Sequence, residues 1–346
     1  MKKQSAYVFE YQKAVEFAKK QNEHFWLADE ISVEKDKQDF LVNLTTAEKH
    51  GVLTTLKLFT HYELFAGQEY WGKHVTKMFP KPCINMMANC FSYFEINVHA
   101  PFYNKLNEVL GVNTPEFYNS YVENPVLKAR MDELEEKLTY YSGQRHEESL
   151  LSLAFFSMLE GAVLYSSFAF LKHFQSKGKN KLVNVVRGIN FSVRDENLHS
   201  LGGAYLYNTL KKEYISSTSF ETKDVKRRER KDVPRYKNIN KLEKKIKEGA
   251  ITLYEHEEKI IDLIYEEGPI EGLNNEDLKT FVKSRIDFCL NNLGIDGVYN
   301  VGENPIADWF YNGINAYSFN DFFTGMGNEY TRKWSEDSFQ WGQLAR

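Results

Sequence analysis

The interpretation of this sequence starts from residues 193–199, Val193-Arg194-Asp195-Glu196-Asn197-Leu198-His199. Read as a helix, the stretch places Glu196 and His199 three residues apart, so that both side chains leave the same face. A carboxylate and an imidazole one turn apart can bind one metal ion. The motif is short, and its value depends on whether other helices supply partner ligands.

Four long helical patterns supply them. Apolar residues recur at three- and four-residue intervals over about 45–79, 84–110, 144–172 and 179–212, and each segment is long enough for one helix of a large bundle. Shorter helices are predicted at about 250–266 and 274–293. The sequence therefore predicts an all-α helical bundle.

The four long patterns share a set of polar residues on their apolar faces. A single acid is followed by an acid–His pair, and this order occurs twice, with separations of 32 residues (63 to 95) and 36 residues (160 to 196). A buried, unpaired carboxylate costs several kcal/mol, so four of them on inward faces need cations among them. A di-iron carboxylate bundle uses such a set. The predicted metal ligands are Glu63, Glu95, His99, Glu160, Glu196 and His199.

Two features of this set require a structural test. Glu95 and His99 are four residues apart rather than three, and we expect a π-bulge between them to absorb the extra residue. Glu69 is the alternative to Glu63 as first ligand, although its spacing fits less well.

Aromatic residues near the set have two interpretations. Tyr103 follows His99 by one turn, so it is either a core tyrosine with a satisfied hydroxyl or a phenol that is oxidised when bound metals reduce O₂. Leu164 and Phe168 would line a dry pocket around it. A lone Trp such as Trp26 is by itself more often a core anchor.

Composition bounds the class of protein. A net charge of −4 does not favour a nucleic-acid partner, and the basic segment 215–250 is interpreted as a solvated insertion. Three cysteines without a paired framework indicate a reduced, cytoplasmic protein. The start has no apolar signal region, and we expect no window resembling a membrane span.

At several separated positions the sequence resembles the small, radical-generating subunit of class I ribonucleotide reductase. The resemblance covers nearly the whole chain apart from the basic segment. The matching pieces are Phe25-Trp26 with Asp29-Glu30, Glu95 with His99-Ala100-Pro101-Phe102-Tyr103, Leu159-Glu160, Arg194 to His199, Asn304-Pro305, Asp321-Phe322-Phe323 and Asn328-Glu329-Tyr330.

The resemblance implies a ferritin-like domain at 1–303, a flexible docking tail at 304–346, and a homodimer. It implies that two metal ions use O₂ to form a radical on Tyr103, which passes to the large subunit for reduction of ribonucleotides to deoxyribonucleotides. Trp26 and Asp195, with His99, would begin the transfer path, and Tyr330 would be its last carrier.

The resemblance also bears on the metals. Most members have Asp where Glu63 falls, and a subgroup with Glu is associated with a manganese–iron centre and lacks the tyrosine. Because Glu63 coexists here with Tyr103, we expect Fe/Fe, with Mn/Fe or Mn/Mn as alternatives. The tail, 334–346, lacks the family's usual acidic run ending in an aromatic residue.

Two other functions stay open from the sequence. A ferritin-like di-metal oxidase or oxygenase acting on a small molecule or lipid would need neither Trp26 nor Tyr330. A metal-storage protein would be a smaller, cage-forming subunit.

Overall fold

The computed structural model describes residues 8–140, 146–221 and 235–311. Four core helices run over residues 46–78, 82–110, 146–172 and 183–221, and all four agree with the sequence patterns. The all-α prediction is confirmed: in the described ranges, pairing of β type is limited to an isolated bridge between Ile270 and Leu273. The α-helices are α1 (Gln12–Glu23), α2 (Thr46–Leu64), α3 (Thr76–Met78), α4 (Pro82–Phe94), α5 (Ala100–Leu110), α6 (Pro115–Glu123), α7 (Pro125–Tyr140), α8 (His146–Met158), α9 (Tyr165–Lys172), α10 (Val183–Glu221), α11 (Arg235–Ile264) and α12 (Asn275–Asn292).

Local chemistry sets the ends of the core helices. Thr45 and Glu48 form a capping box at the start of α2, in which each side chain accepts a hydrogen bond from the other residue's backbone N–H. Pro82 occupies the first turn of α4, where its missing N–H is not needed. Gly111 ends α5 in the left-handed region with φ of 75°.

Three of the core helices contain a π-helical segment next to a predicted ligand. The segments are Phe65–Val75 in the first, Glu95–His99 in the second and Leu159–Val163 in the third. The fourth core helix, α10, is a regular α-helix of 39 residues. Single π turns inside α-helices are frequent at functional sites.

The outer helices close the bundle around an aromatic core. Helix α1 packs against α4, while α11 and α12 pack against each other and against the third core helix. The largest fully buried side chains include Trp26, Trp71, Tyr70 and Tyr103. These rings fill the layers between helices and exclude water from the bundle centre.

The third core helix corrects one expectation from the sequence. Residues His146–Gln175 are long and apolar enough to cross a membrane by length and composition alone. The whole apolar window of this helix is buried inside the protein, however, as in the core helix of a soluble protein. The hydropathy is therefore explained by burial in the bundle.

The domain division stays a prediction, and the structure adds two facts to it. The described parts of the 215–250 segment end α10 and begin α11, and Leu242, Ile246 and Ala250 of α11 are buried. At the other end, Ile306 and Phe310 are buried, so the packed chain continues beyond residue 303.

Candidate metal centre

The six predicted ligands converge at the centre of the bundle, one acid or acid–His pair from each core helix. All six side chains have an exposed fraction of 0%. Their donor atoms form two groups, and within each group the atoms lie within 4.8 Å of one another. The first group is Glu63, Glu95, His99 and Glu196, and the second is Glu95, Glu160, Glu196 and His199.

Glu95 and Glu196 belong to both groups. One oxygen of Glu95 lies 2.9 Å from His99 Nδ1 and the other 2.6 Å from His199 Nδ1. The oxygens of Glu196 lie 3.0 Å from His99 Nδ1 and 3.2 Å from His199 Nδ1. Each of these two carboxylates therefore has donor atoms in both candidate groups, while each histidine belongs to one group and would hold one metal ion.

The irregular spacing of Glu95 and His99 is accommodated by the π segment between them. The Ala100 N–H donates to the Glu95 carbonyl, a five-residue hydrogen bond in place of the usual four. The wider turn keeps residues four apart on a common face, which confirms the expected π-bulge.

Glycine permits the first core helix to approach this segment. A Cβ on Gly67 would lie 2.8 Å from the Glu95 Cβ and 2.7 Å from the Ile96 Cγ1. Any larger residue would push the second core helix away from the centre.

The alternative first ligand is placed elsewhere. Glu69 is paired with Lys73 at 2.6 Å, and its side chain is 40% exposed. Glu63 instead faces His99, with 3.6 Å between Oε2 and Nδ1.

The carboxylates fit a cation site. Among the described residues, both oxygens of Glu63 and one oxygen each of Glu95, Glu160 and Glu196 are buried and accept no hydrogen bond of good geometry, although Glu95 Oε1 and Glu196 Oε1 lie close to a histidine Nδ1. Burial, together with the negative charges of Glu95 and Glu196, raises the pKa of Glu63 well above its ordinary value. Unsatisfied carboxylate oxygens facing each other in a dry interior are the donor set of hard divalent metals.

The negative charge of the carboxylates also raises the pKa values of the two histidines. Burial alone would lower their pKa values, but Glu95 and its neighbours raise the pKa of His199 to about 9 and that of His99 well above its usual range. Without metal, protons on the imidazoles offset part of the carboxylate charge. Metal binding would displace these protons.

Two contacts to the ligands were missed from the sequence. The Trp71 indole N–H donates to Glu160 Oε1 at 2.9 Å, and Gln21 Oε1 lies 3.1 Å from His199 Nε2. Gln21 is the polar member of the otherwise apolar buried face of α1. A polar residue at a buried position of an apolar helix face could have been recognised from the sequence as a partner of a ligand, because such partners orient ligating side chains.

The predicted path residues lie in contact. The Trp26 indole N–H donates to Asp195 Oδ2 at 2.8 Å, and His99 Nε2 lies 3.3 Å from the same oxygen. Burial opposes ionisation of Asp195, but the Arg194 guanidinium, with its Nε 3.1 Å from Asp195 Oδ1, holds the pKa of Asp195 to about 2. A continuous hydrogen-bonded chain therefore joins the ligand His99 to Trp26.

Tyr103 is enclosed by aromatic rings. Its side chain is 0% exposed, stacks on Phe59 with centroids 4.4 Å apart, and has a hydroxyl without a hydrogen-bond partner in the described residues. Phe168 also stacks on Phe59, with centroids 5.2 Å apart, and Leu164 is buried. Burial and the charge of Glu63 raise the pKa of Tyr103 well above its ordinary value. Tyr330 lies outside the described residues.

Comparisons with known proteins identify the family of the chain. The family model described as Ribonucleotide reductase, small chain, matches residues 4–305. The probable ribonucleoside-diphosphate reductase small subunit 048L of Invertebrate iridescent virus 3 is 25% identical over 333 residues, covering 91% of this chain and 81% of that protein. Subunit M2 of ribonucleoside-diphosphate reductase from Danio rerio is 24% identical over 326 residues, covering 91% and 72%.

Solved structures share the fold. A putative class I ribonucleotide reductase from Bacillus halodurans superposes with a TM-score of 0.72 at 20% identity, covering 89% of this chain and 100% of that chain. The dimanganese(II)-NrdF of Streptococcus sanguinis gives a TM-score of 0.69 at 22% identity, covering 91% and 99%. With the matched range spanning all four core helices, the chain belongs to the ribonucleotide reductase small chain family and is a small subunit of that enzyme.

Proposed function

We propose that this subunit binds two metal ions and uses O₂ to generate a radical on Tyr103, which is delivered to the large catalytic subunit for the reduction of ribonucleotides to deoxyribonucleotides. The observation that carries the proposal is the position of Tyr103, a fully buried tyrosine beside two ligand groups that share Glu95 and Glu196. The protein would act as a cytoplasmic homodimer with the large subunit as its partner.

The metals are proposed to be Fe/Fe, with Mn/Fe or Mn/Mn as alternatives. Four carboxylates and two imidazoles suit iron and manganese equally well by donor type. Bound ions would supply the one-electron chemistry that reduces O₂. The likeness to a dimanganese protein of the same fold keeps manganese among the alternatives.

The protein residues have separate tasks in this proposal. Oxidation of Tyr103 removes one electron and the phenolic proton, and Glu63 is the carboxylate whose charge acts most strongly on that hydroxyl. The rings of Phe59 and Phe168 exclude water, so that the oxidised phenol is protected. A neutral phenol is retained until oxidation because burial disfavours phenolate.

Radical transfer is proposed to begin at the chain of His99, Asp195 and Trp26. Asp195 accepts hydrogen bonds that fix the indole and imidazole relative to each other. Tyr330, in the predicted tail, is proposed as the last carrier before the large subunit.

Electron paramagnetic resonance tests the radical assignment. Apo protein is loaded with two equivalents of Fe(II), or of Fe(II) plus Mn(II), and exposed to O₂. We expect a tyrosyl signal that is absent from Tyr103→Phe. Tyr70→Phe is the matched control, because Tyr70 is also fully buried and its hydroxyl has no partner among the described residues.

Two outcomes would contradict the proposal. A signal that survives in Tyr103→Phe and vanishes in Tyr70→Phe would move the radical to Tyr70. Two bound metals without a tyrosyl signal under any loading would favour the di-metal oxidase.

A second experiment tests the proposed radical-transfer path. Tyr330→Phe should keep the radical and abolish ribonucleotide reduction with the large subunit, and full turnover in that variant would refute the role of Tyr330.

A further inference from the structure

Arg285 on α12 connects the metal centre to the last described segment of the chain. The residue is 3% exposed, and its guanidinium lies over the Tyr165 ring, 3.9 Å from the centroid. Nε donates to the Gly161 carbonyl at 2.8 Å and NH2 donates to Asn197 Oδ1 at 3.2 Å. The remaining nitrogen, NH1, donates to the Tyr311 hydroxyl at 3.0 Å.

Two of these acceptors are sequence neighbours of metal ligands. Gly161 follows Glu160 within the π segment of the third core helix, and Asn197 follows Glu196 on the fourth. The guanidinium is planar and rigid, so it can reach both acceptors only at one separation of the two helices. Metal ions held by Glu160 and Glu196 would fix the same separation.

Packing around Gly161 leaves little freedom for this geometry to relax. A Cβ at this position would lie 2.2 Å from Ser200 Oγ and 2.5 Å from Cys289 Sγ. The third core helix therefore touches both α10 and α12 at the point where Arg285 binds. A change in the position of one ligand helix is transmitted directly to Arg285.

The third contact of Arg285 lies on segment 304–311, which packs against the core through Ile306 and Phe310. Phe310 is buried, and Lys172 Nζ donates to its carbonyl at 2.8 Å. Asn304 Nδ2 donates to Ser284 Oγ at 2.7 Å. Tyr311, which lies within the predicted docking tail at 304–346, is 37% exposed, and its hydroxyl accepts the hydrogen bond from Arg285.

We infer that Arg285 is a positioning residue that couples occupancy of the metal centre to the order of segment 304–311. When metals fix the two ligand helices, the guanidinium is held in the orientation that presents NH1 to Tyr311. Without metal, no ion holds Glu160 and Glu196 at a fixed separation, so the two helices are freer to move and the hydrogen bond to Tyr311 weakens. The first residues of the predicted docking tail, 304–311, would thus be ordered preferentially in the loaded subunit, a role that rests on the proposed metal site.

Hydrogen–deuterium exchange of the full-length protein tests this coupling without any turnover. Peptides covering 304–311 are followed in apo protein and after anaerobic loading with Mn(II), with bound manganese quantified in the same samples. We expect exchange in this segment to slow by roughly fivefold or more on loading, the lower range of coupling between linked sites. Tyr311→Phe should bind manganese as the wild type does and lose most of this difference.

Tyr299→Phe is the matched control. Tyr299 lies in the same region, and its hydroxyl has no hydrogen-bond partner in the described structure, so its loss should leave the metal-dependent protection intact. Arg285→Lys keeps the positive charge but cannot donate to the three acceptors of the guanidinium at once. Like Tyr311→Phe, it should lose most of the metal-dependent protection.

Each alternative result is decisive. Equal exchange in apo and loaded wild type, with two manganese ions bound, would overturn the coupling and leave the metal centre standing. Full protection in loaded Tyr311→Phe would likewise overturn it. A protein that binds no manganese would refute the metal centre and the coupling together.

Discussion

Replacing single ligands should remove the two metals selectively, because the two groups share only Glu95 and Glu196. Glu63 belongs to the first group alone and Glu160 to the second alone. Glu63→Ala and Glu160→Ala should each retain one metal ion per chain, whereas Glu95→Ala should lose tight binding at both positions.

The magnitude follows from linkage. A ligand at 100 times its Kd stabilises the folded state by about 2.7 kcal/mol per site. At about 2.1 cal/mol/K per residue, unfolding of 346 residues has an entropy of about 0.7 kcal/mol/K, so each site raises Tm by about 4 °C. We expect Mn(II) to raise the Tm of the wild type by about 7 °C, that of Glu63→Ala and Glu160→Ala by about half as much, and that of Glu95→Ala little.

The assay is differential scanning calorimetry under anaerobic conditions, with metal content measured on the same samples. Comparing loaded with apo protein for each variant cancels the change in apo stability that follows from removing a buried carboxylate. Glu69→Ala is the control and should shift as the wild type does, because Glu69 pairs with Lys73 at the surface. Loss of both metals from Glu63→Ala, or retention of both by Glu95→Ala, would refute the assignment of shared and unshared ligands.

Two further predictions concern the fold. Burial lowers the pKa of His173 to about 4. Because its folded pKa lies below the unfolded value, its contribution to stability is present above pH 6.5 and is lost as the pH falls toward 4, with about 2.5 kcal/mol lost by pH 4.5. Urea unfolding at pH 7 and 4.5 should show a smaller loss of stability for His173→Leu than for wild type, and equal losses would contradict this. Gly188→Ala should destabilise by about 1–3 kcal/mol, since the new Cβ would lie 2.2 Å from the Phe102 ring. Phe102→Leu should restore part of that stability in the double variant, and a Gly188→Ala protein more stable than wild type would refute the clash.

The sequence by itself determined the four core helices and which residues are predicted as metal ligands. Both depend on local information. Apolar periodicity marks the buried face of each helix, and a glutamate on that face indicates a nearby cation because a buried, unpaired carboxylate is costly. Glu63, Glu95, Glu160 and Glu196 could therefore be identified without knowing how the helices pack. The five-residue hydrogen bond between Glu95 and Ala100 was also predictable, because one extra residue between two ligands must be absorbed within the helix.

Only the tertiary structure decided how these residues are combined. It placed Glu95 and Glu196 in both candidate metal groups, placed Glu69 at the surface beside Lys73, and showed Trp71 and Gln21 in contact with two predicted ligands. These relations join residues far apart in the chain, and helix periodicity specifies a face without specifying what that face meets. The rotation and separation of packed helices determine such contacts, and they result from side-chain packing over the entire core.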